Sequence, residues 1–181
     1  MFLDFRIHTN YDQHIRPYLK NGIIIDTCVL KEIIDGIVLS RITKKESQEL
    51  KNIDFFLQLI KIHKKWDKFF ITPHILTEVC QKIRSEYCTW ENQEQIIGEI
   101  MPIIKNMGEF QIKKGNFLDI IENNKNVRIE AGDISIFVKT DDFLAKKEKI
   151  AILSNDSGVN DKYMGDDRVM VMDYNSVINN L

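Results

Sequence analysis

The chain has 181 residues, enough for one domain with a sizeable core and short for two. Hydrophobic residues make up 44% and charged residues 29%, with 8 Gly and 3 Pro, a balance that excludes disordered and fibrous chains. The formal charge of −2 excludes a coat that grips nucleic acid through phosphate neutralisation alone, although a cluster of acids can offset basic residues elsewhere.

Residues 1–21 are mixed and carry no clear period. Met1-Phe-Leu-Asp-Phe-Arg-Ile-His8 lacks the basic-then-apolar order of a signal peptide, and no apolar run approaches the roughly 20 residues of a membrane span. Gly22-Ile-Ile-Ile-Asp26 is a short apolar run ending in an acid, the pattern of a strand buried on both faces. Residues 27–42 predict a helix broken at Gly36. From Lys44 to Lys65 the spacing of Leu50, Ile53, Phe56 or Leu57, and Ile60 predicts an amphipathic helix. Phe69-Phe70-Ile71-Thr72 reads as a second strand. Thr72 and Pro73 then open a helix as N-cap and first helical residue, running to about Cys88 with Ile75, Leu76, Val79 and Ile83 inward.

Residues 91–107 and 116–123 read as helices separated by Gly108 and Gly115, with Pro102 kinking or splitting the first. A helix follows over Glu130-Ala-Gly-Asp133-Ile-Ser-Ile-Phe-Val138, its acid near the start. Lys149-Ile-Ala-Ile-Leu-Ser-Asn-Asp156 is a third apolar strand ending in an acid, and Arg168-Val-Met-Val-Met-Asp173 a fourth, before a short terminal helix. Strands alternating with helices predict an α/β fold with a mainly parallel sheet. The odd count of cysteines, Cys28, Cys80 and Cys88, without a CxxC pair fits free thiols in a reducing compartment, so a cytoplasmic protein is expected.

Ligands of open α/β sheets gather beyond the carboxyl ends of the strands, where Asp26 and Asp156 are predicted. Each acid also has a structural reading. Asp26, Asp133 and Asp156 suit helix starts, and Glu78 can pair with Lys82 four residues on, for about 0.2–0.5 kcal/mol. Their order weighs more: strand-Asp, Thr-Pro-helix-Glu, Gly-Asp-helix, strand-Asn-Asp. Carboxylates converging to ~4 Å at an effective dielectric of about 20 repel by roughly 4 kcal/mol per pair. Such a cluster protonates in part or binds a cation. An all-oxygen donor set selects Mg²⁺ or Mn²⁺ over zinc, and such an ion suits phosphoryl chemistry.

The blocks Ile24-Ile-Asp26-Thr-Cys-Val-Leu30, Ile71-Thr-Pro-His-Ile-Leu-Thr-Glu78-Val79, Gly132-Asp133-Ile-Ser-Ile136 and Ile152-Leu-Ser-Asn-Asp156 resemble, in order, the four acidic motifs of PIN-domain nucleases. The resemblance implies a single PIN-like domain over residues 1–181, a three-layer α/β/α fold with a mainly parallel sheet. It implies a Mg²⁺- or Mn²⁺-dependent endoribonuclease acting on an RNA substrate. Asp26, Glu78, Asp133 and Asp156 would be its catalytic and metal-site acids, and Thr27 the supporting hydroxyl. As the toxin of a toxin–antitoxin pair, such a protein would have an antitoxin partner and would often form a homodimer. The chain departs from compact PIN toxins in extra helical sequence between Glu78 and Asp133, and in lacking the basic residue that often follows the last Asp.

Other residues read as structural. Lys61-Ile-His-Lys-Lys-Trp-Asp-Lys68 is a solvated helix end that suits RNA backbone as a second reading. His63 and His74 lack zinc spacing, Cys28 reads as a small packed residue, Met170 and Met172 as strand core, and Asp161 as an exposed acid. A phosphatase beginning strand-Asp would need a second Asp where Cys28 stands, and a nucleotide site would need a Gly-rich turn in place of Asp26-Thr-Cys-Val. A receiver-type phosphoacceptor would want an Asp where the second strand ends in Thr-Pro. The alternative with weight is non-catalytic: a PIN-like scaffold binding RNA or a protein partner.

Overall fold

The apolar runs expected to be interior strands form the middle of one parallel sheet. The computed structural model describes residues 11–87, 93–123 and 129–179. In chain order it contains α1 (Tyr11–Leu19), β1 (Ile23–Ile25), α2 (Thr27–Thr43), α3 (Gln48–Leu59), β2 (Phe69–Ile71), α4 (Pro73–Lys82), α5 (Gln93–Asn106), β3 (Gly108–Glu109), α6 (Lys114–Asn123), α7 (Ala131–Ala145), β4 (Ile150–Leu153), α8 (Ser157–Tyr163), β5 (Val169–Met172) and α9 (Tyr174–Asn179). The five strands lie in the order β3-β2-β1-β4-β5 with every pair parallel, and helices flank the sheet.

The strand Ile23-Ile24-Ile25 is fully buried because helices cover both faces of the sheet. Each such isoleucine contributes about 1.5–3 kcal/mol relative to exposure, and truncating one to Ala would cost about 2–5 kcal/mol. The register pairs Ile23 with Ala151, Ile24 with Ile152 and Ile25 with Leu153, and Ile23 with Phe69 on the other side. The chain thus leaves β1 between β2 and β4, with Asp26 at the seam.

Several elements differ from the sequence expectation. Tyr11–Leu19 is helical, an element that the mixed sequence of residues 1–21 does not predict. The helix expected to break at Gly36 runs unbroken, and the glycine instead allows close packing. A Cβ there would lie 2.8 Å from Leu50 Cβ and 3.0 Å from Ser47 Oγ, at the start of α3. That helix begins later and ends sooner than the pattern from Lys44 to Lys65. Ser47 caps it by accepting from the Leu50 amide, and Ile60 ends it. Pro102 leaves α5 whole, and both Pro102 and Gly98 one turn earlier, whose carbonyl loses its helical partner, are exposed. The helix opened by Thr72 and Pro73 ends at Lys82 and passes into a π-turn over Ile83–Tyr87, while Cys88 lies outside the described residues. Gly108 belongs to the edge strand β3, held by the Phe110 amide donating to Ile71 (2.9 Å) and by Phe110 stacking on Phe70 at 4.2 Å. Among the described residues, no helix is long and apolar enough to cross a membrane.

Candidate active site

The carboxyl ends of β1 and β4 open into a cavity of about 740 Å³ whose wall includes Asp26, Thr27, Glu78, Asp133 and Asp156. Each predicted acid arrives on a different element. Asp26 closes β1 and sits at the N-cap position of α2, yet its side chain caps nothing. Glu78 projects from the second turn of α4, Asp133 is the third residue of α7, and Asp156 begins α8.

Asp26 is 3% exposed. Its Oδ2 accepts from the Ser154 hydroxyl at 2.5 Å and from the Cys28 thiol at 3.2 Å. The register explains the first bond. Because Ile25 pairs with Leu153, the residue opposite Asp26 is Ser154, and Asp156 lies two positions further on. Ser154 also accepts from the Asp156 amide at 3.0 Å, so one buried hydroxyl ties the first acid to the last motif. Burial raises the Asp26 carboxyl above its ordinary value, against the lowering effect of these donors.

Glu78 is held from two sides. Thr27 donates its hydroxyl to Oε2 at 2.7 Å, and the Gly132 amide donates to Oε1 at 2.9 Å. This approach requires a glycine, since a Cβ on residue 132 would lie 2.9 Å from Glu78 Oε2 and 3.1 Å from Thr27 Oγ1. The expected alternative for Glu78, a pair with Lys82, is not formed. Lys82 turns to Asp35 (3.1 Å) and Glu86 (2.8 Å). Asp156 does perform the capping expected of an N-cap residue, its Oδ1 accepting from Gly158 (2.6 Å) and Val159 (3.2 Å), which leaves Oδ2.

Asp133 differs from the other three: among the described residues its carboxylate accepts no hydrogen bond. It is pushed up to about 7, first by burial and then by the negative charges of Asp26, Asp156, Glu130 and Glu78. A carboxyl with this response lies where negative charge converges. Cys28, at the same wall, is pushed up to about 12 by burial and by Asp26, so it is a protonated thiol and a poor soft ligand.

The acids meet at one cavity but do not form a finished cage. Among the described residues, no group of three or more His, Cys, Asp or Glu side chains stands close enough to hold a metal ion. In donor chemistry the wall fits a hard cation, being rich in carboxylate oxygen with its one sulfur protonated.

Residues outside the predicted set also line the cavity: Lys31 from α2, Glu130 before α7, and Asp161 and Lys162 from α8. Asp161 remains exposed, as expected, but at the rim of this cavity. The signal for Lys31 was available, because it lies four residues after Thr27 and therefore on the same face of α2. Ser154 had no local signal, since its role depends on which strand lies beside β1. The basic stretch 61–68 contributes no residue to this wall.

The chain is similar in structure to the crystal structure of FitAcB from Neisseria gonorrhoeae, with a TM-score of 0.50 and 12% sequence identity over 84% of this chain and 97% of that chain. No family model matches the chain, and no curated protein is significantly similar to it in sequence. At that identity the likeness speaks for the fold alone, a three-layer, PIN-like α/β arrangement around a parallel sheet.

Proposed function

We propose that the chain is a divalent-metal-dependent endoribonuclease of the PIN type, built as one PIN-like domain over residues 1–181. One observation carries this reading: Asp26, Glu78, Asp133 and Asp156 reach one cavity at the carboxyl end of a parallel sheet from four separate elements. Structural acids have no need to converge, and convergence is costly in the absence of a cation.

Asp26, Glu78, Asp133 and Asp156 would hold Mg²⁺ or Mn²⁺, which suit oxygen donors. Bound there, such an ion would offset charge on a phosphodiester and make water nucleophilic enough to attack phosphorus. The chain's own residues prepare the site. Thr27 and the Gly132 amide hold the two oxygens of Glu78, and Ser154 fixes Asp26. Asp133 changes charge: with its carboxyl pushed up to about 7, it carries a proton for part of the time at neutral pH and releases it when positive charge enters. An RNA substrate, a role as toxin, an antitoxin partner and a homodimer follow from the PIN resemblance of the motifs rather than from the cavity.

One observation favours a second reading. Since no three side chains already form an ion cage among the described residues, a non-catalytic PIN-like scaffold that binds RNA or a protein would demand less of the acids. Titration with Mn²⁺ by calorimetry, alongside incubation with a labelled single-stranded RNA in Mn²⁺ or in chelator, separates the two. Metal-stimulated cleavage that disappears in Asp26→Asn supports the nuclease. RNA binding that ignores the metal and leaves the strand intact replaces it with the scaffold.

A further inference from the structure

The cavity of the acids continues into a second one of about 510 Å³, and the two share Lys31, Glu78 and Glu130. The second cavity runs along α4, whose Glu78, Gln81 and Lys82 at i, i+3 and i+4 form one polar stripe, and on to Ser85 and Glu86 in the π-turn that follows. Lys31 of α2 lines both cavities, and Thr27, four residues earlier on the same helix, lines the first. At the other end, beyond Asp156, Gly158, Asp161 and Lys162 of α8 close the first cavity. The result is a cleft running from α8, across the strand tips, into the groove between α2 and α4.

Charge decides what such a cleft can admit. The first cavity is lined by several carboxylates and by the two cations Lys31 and Lys162. A polyanion laid there meets repulsion unless cations stand where its flanking charges fall. Lys82, deeper in the groove, is not available, because Asp35 and Glu86 already hold its ammonium at 3.1 and 2.8 Å. Lys31 is half-buried at the junction of the two cavities and, among the described residues, pairs with no acid. Lys162 rests its ammonium 4.7 Å from the Phe137 ring centre, an apolar seat, and its charge also lowers the Asp141 carboxyl, although among the described residues it forms no ion pair. One such cation stands on each side of the acids.

We infer that Lys31 and Lys162 are positioning residues for a single-stranded phosphodiester chain. They hold the phosphates on either side of the reacting one, and the strand leaves the acids along the groove between α2 and α4. Exposed Gln81 in the groove wall is free to hydrogen-bond the passing strand. This inference rests on the nuclease reading for the reaction itself, but not for the anion contacts.

The test measures binding of fluorescein-labelled oligouridylate and oligothymidylate to the full chain by anisotropy across a salt series, and cleavage kinetics in Mn²⁺. Lys31→Ala and Lys162→Ala are expected each to weaken binding roughly three- to ten-fold and to lower the slope of log affinity against log salt by about 0.7, the value for one single-strand phosphate contact. KM should rise with kcat little changed, a split that a merely structural lysine would not give. Lys51→Ala, at an exposed position on α3 away from the cleft, serves as control. If the unaltered chain binds and cuts while Lys31→Ala matches Lys51→Ala in affinity and slope, the lysine assignment is overturned and the nuclease reading stands. If only the deoxy chain binds, with the lysines sensitive, the lysine assignment holds and the RNA assignment fails. If neither oligonucleotide binds, both are overturned.

Discussion

Two groups of acids lie along α2, one on the helix and one at the strand tips beside its start, and they differ in how completely their charge is met. Further along the helix from the cavity, Glu32 accepts from the Tyr174 hydroxyl and from Asn155 Nδ2 (3.2 Å), and Asp35 accepts from the Tyr87 hydroxyl and pairs with Lys82 at 3.1 Å. Burial raises the Glu32 carboxyl, while the Tyr174 hydroxyl works to lower it. At the strand tips, by contrast, Asp133 has no donor among the described residues and faces four other carboxylates. Burying an acid therefore does not by itself mark function. What separates the groups is that the cavity gathers several carboxylates and leaves one of them, Asp133, without a donor among the described residues, so its charge is left for something else to satisfy.

This contrast can be broken most decisively at Asp26. Asp26→Asn keeps the size and removes the charge, and is expected to lower Mn²⁺-stimulated RNA cleavage by about 100-fold or more while the far-ultraviolet circular dichroism stays the same. Cleavage at the unaltered rate would show that the cavity acids are as structural as Glu32. Next in size, Tyr174→Phe in the donor-rich group should cost about 1–3 kcal/mol in urea unfolding, because Glu32 loses one of its donors. Its effect on metal affinity, read by calorimetry, should be small.

Asp133→Asn sharpens the comparison with the opposite sign. The folded carboxyl sits at about 7, above its ordinary value of 3.8, so the folded chain binds this proton more tightly than the unfolded chain. Its contribution to stability is therefore present below about pH 4 and is lost as pH rises to about 7. Without metal at pH 8, Asp133→Asn should be more stable by about 1–2 kcal/mol, a figure discounted for solvent screening, and at pH 4 the gain should vanish. Equal unfolding midpoints at pH 8 would mean that the crowding is relieved by means other than a cation. The smallest effect on stability belongs to Gly132→Ala. The new Cβ would push the Glu78 carboxylate aside, at the end of a flexible side chain, so unfolding should move by less than about 1 kcal/mol while Mn²⁺ affinity falls.

Much of this architecture was open to reading from local pattern. A strand covered on both faces must be nearly all apolar, so Ile23–Ile25 and Ile150–Leu153 stood out, and an acid at the end of such a run had to lie at the rim of the sheet. Thr72 and Pro73 announced α4 through capping chemistry, which is local. By itself, then, the sequence determined the α/β class, the main strands, and the places where carboxylates leave the core.

Only the tertiary structure decided how those acids are held. That Ser154, and not Asp156, stands opposite Asp26 follows from the pairing of Ile25 with Leu153, residues far apart in the chain. That Glu78 turns to Thr27 and Gly132 follows from Asp35 and Glu86 occupying Lys82, which α4 alone would have offered it. Register and strand order are set by the sum of packing over the whole sheet, and no window of neighbouring residues contains that information. The acids were legible because burial is a local constraint on composition, whereas their donors depend on contacts between distant segments.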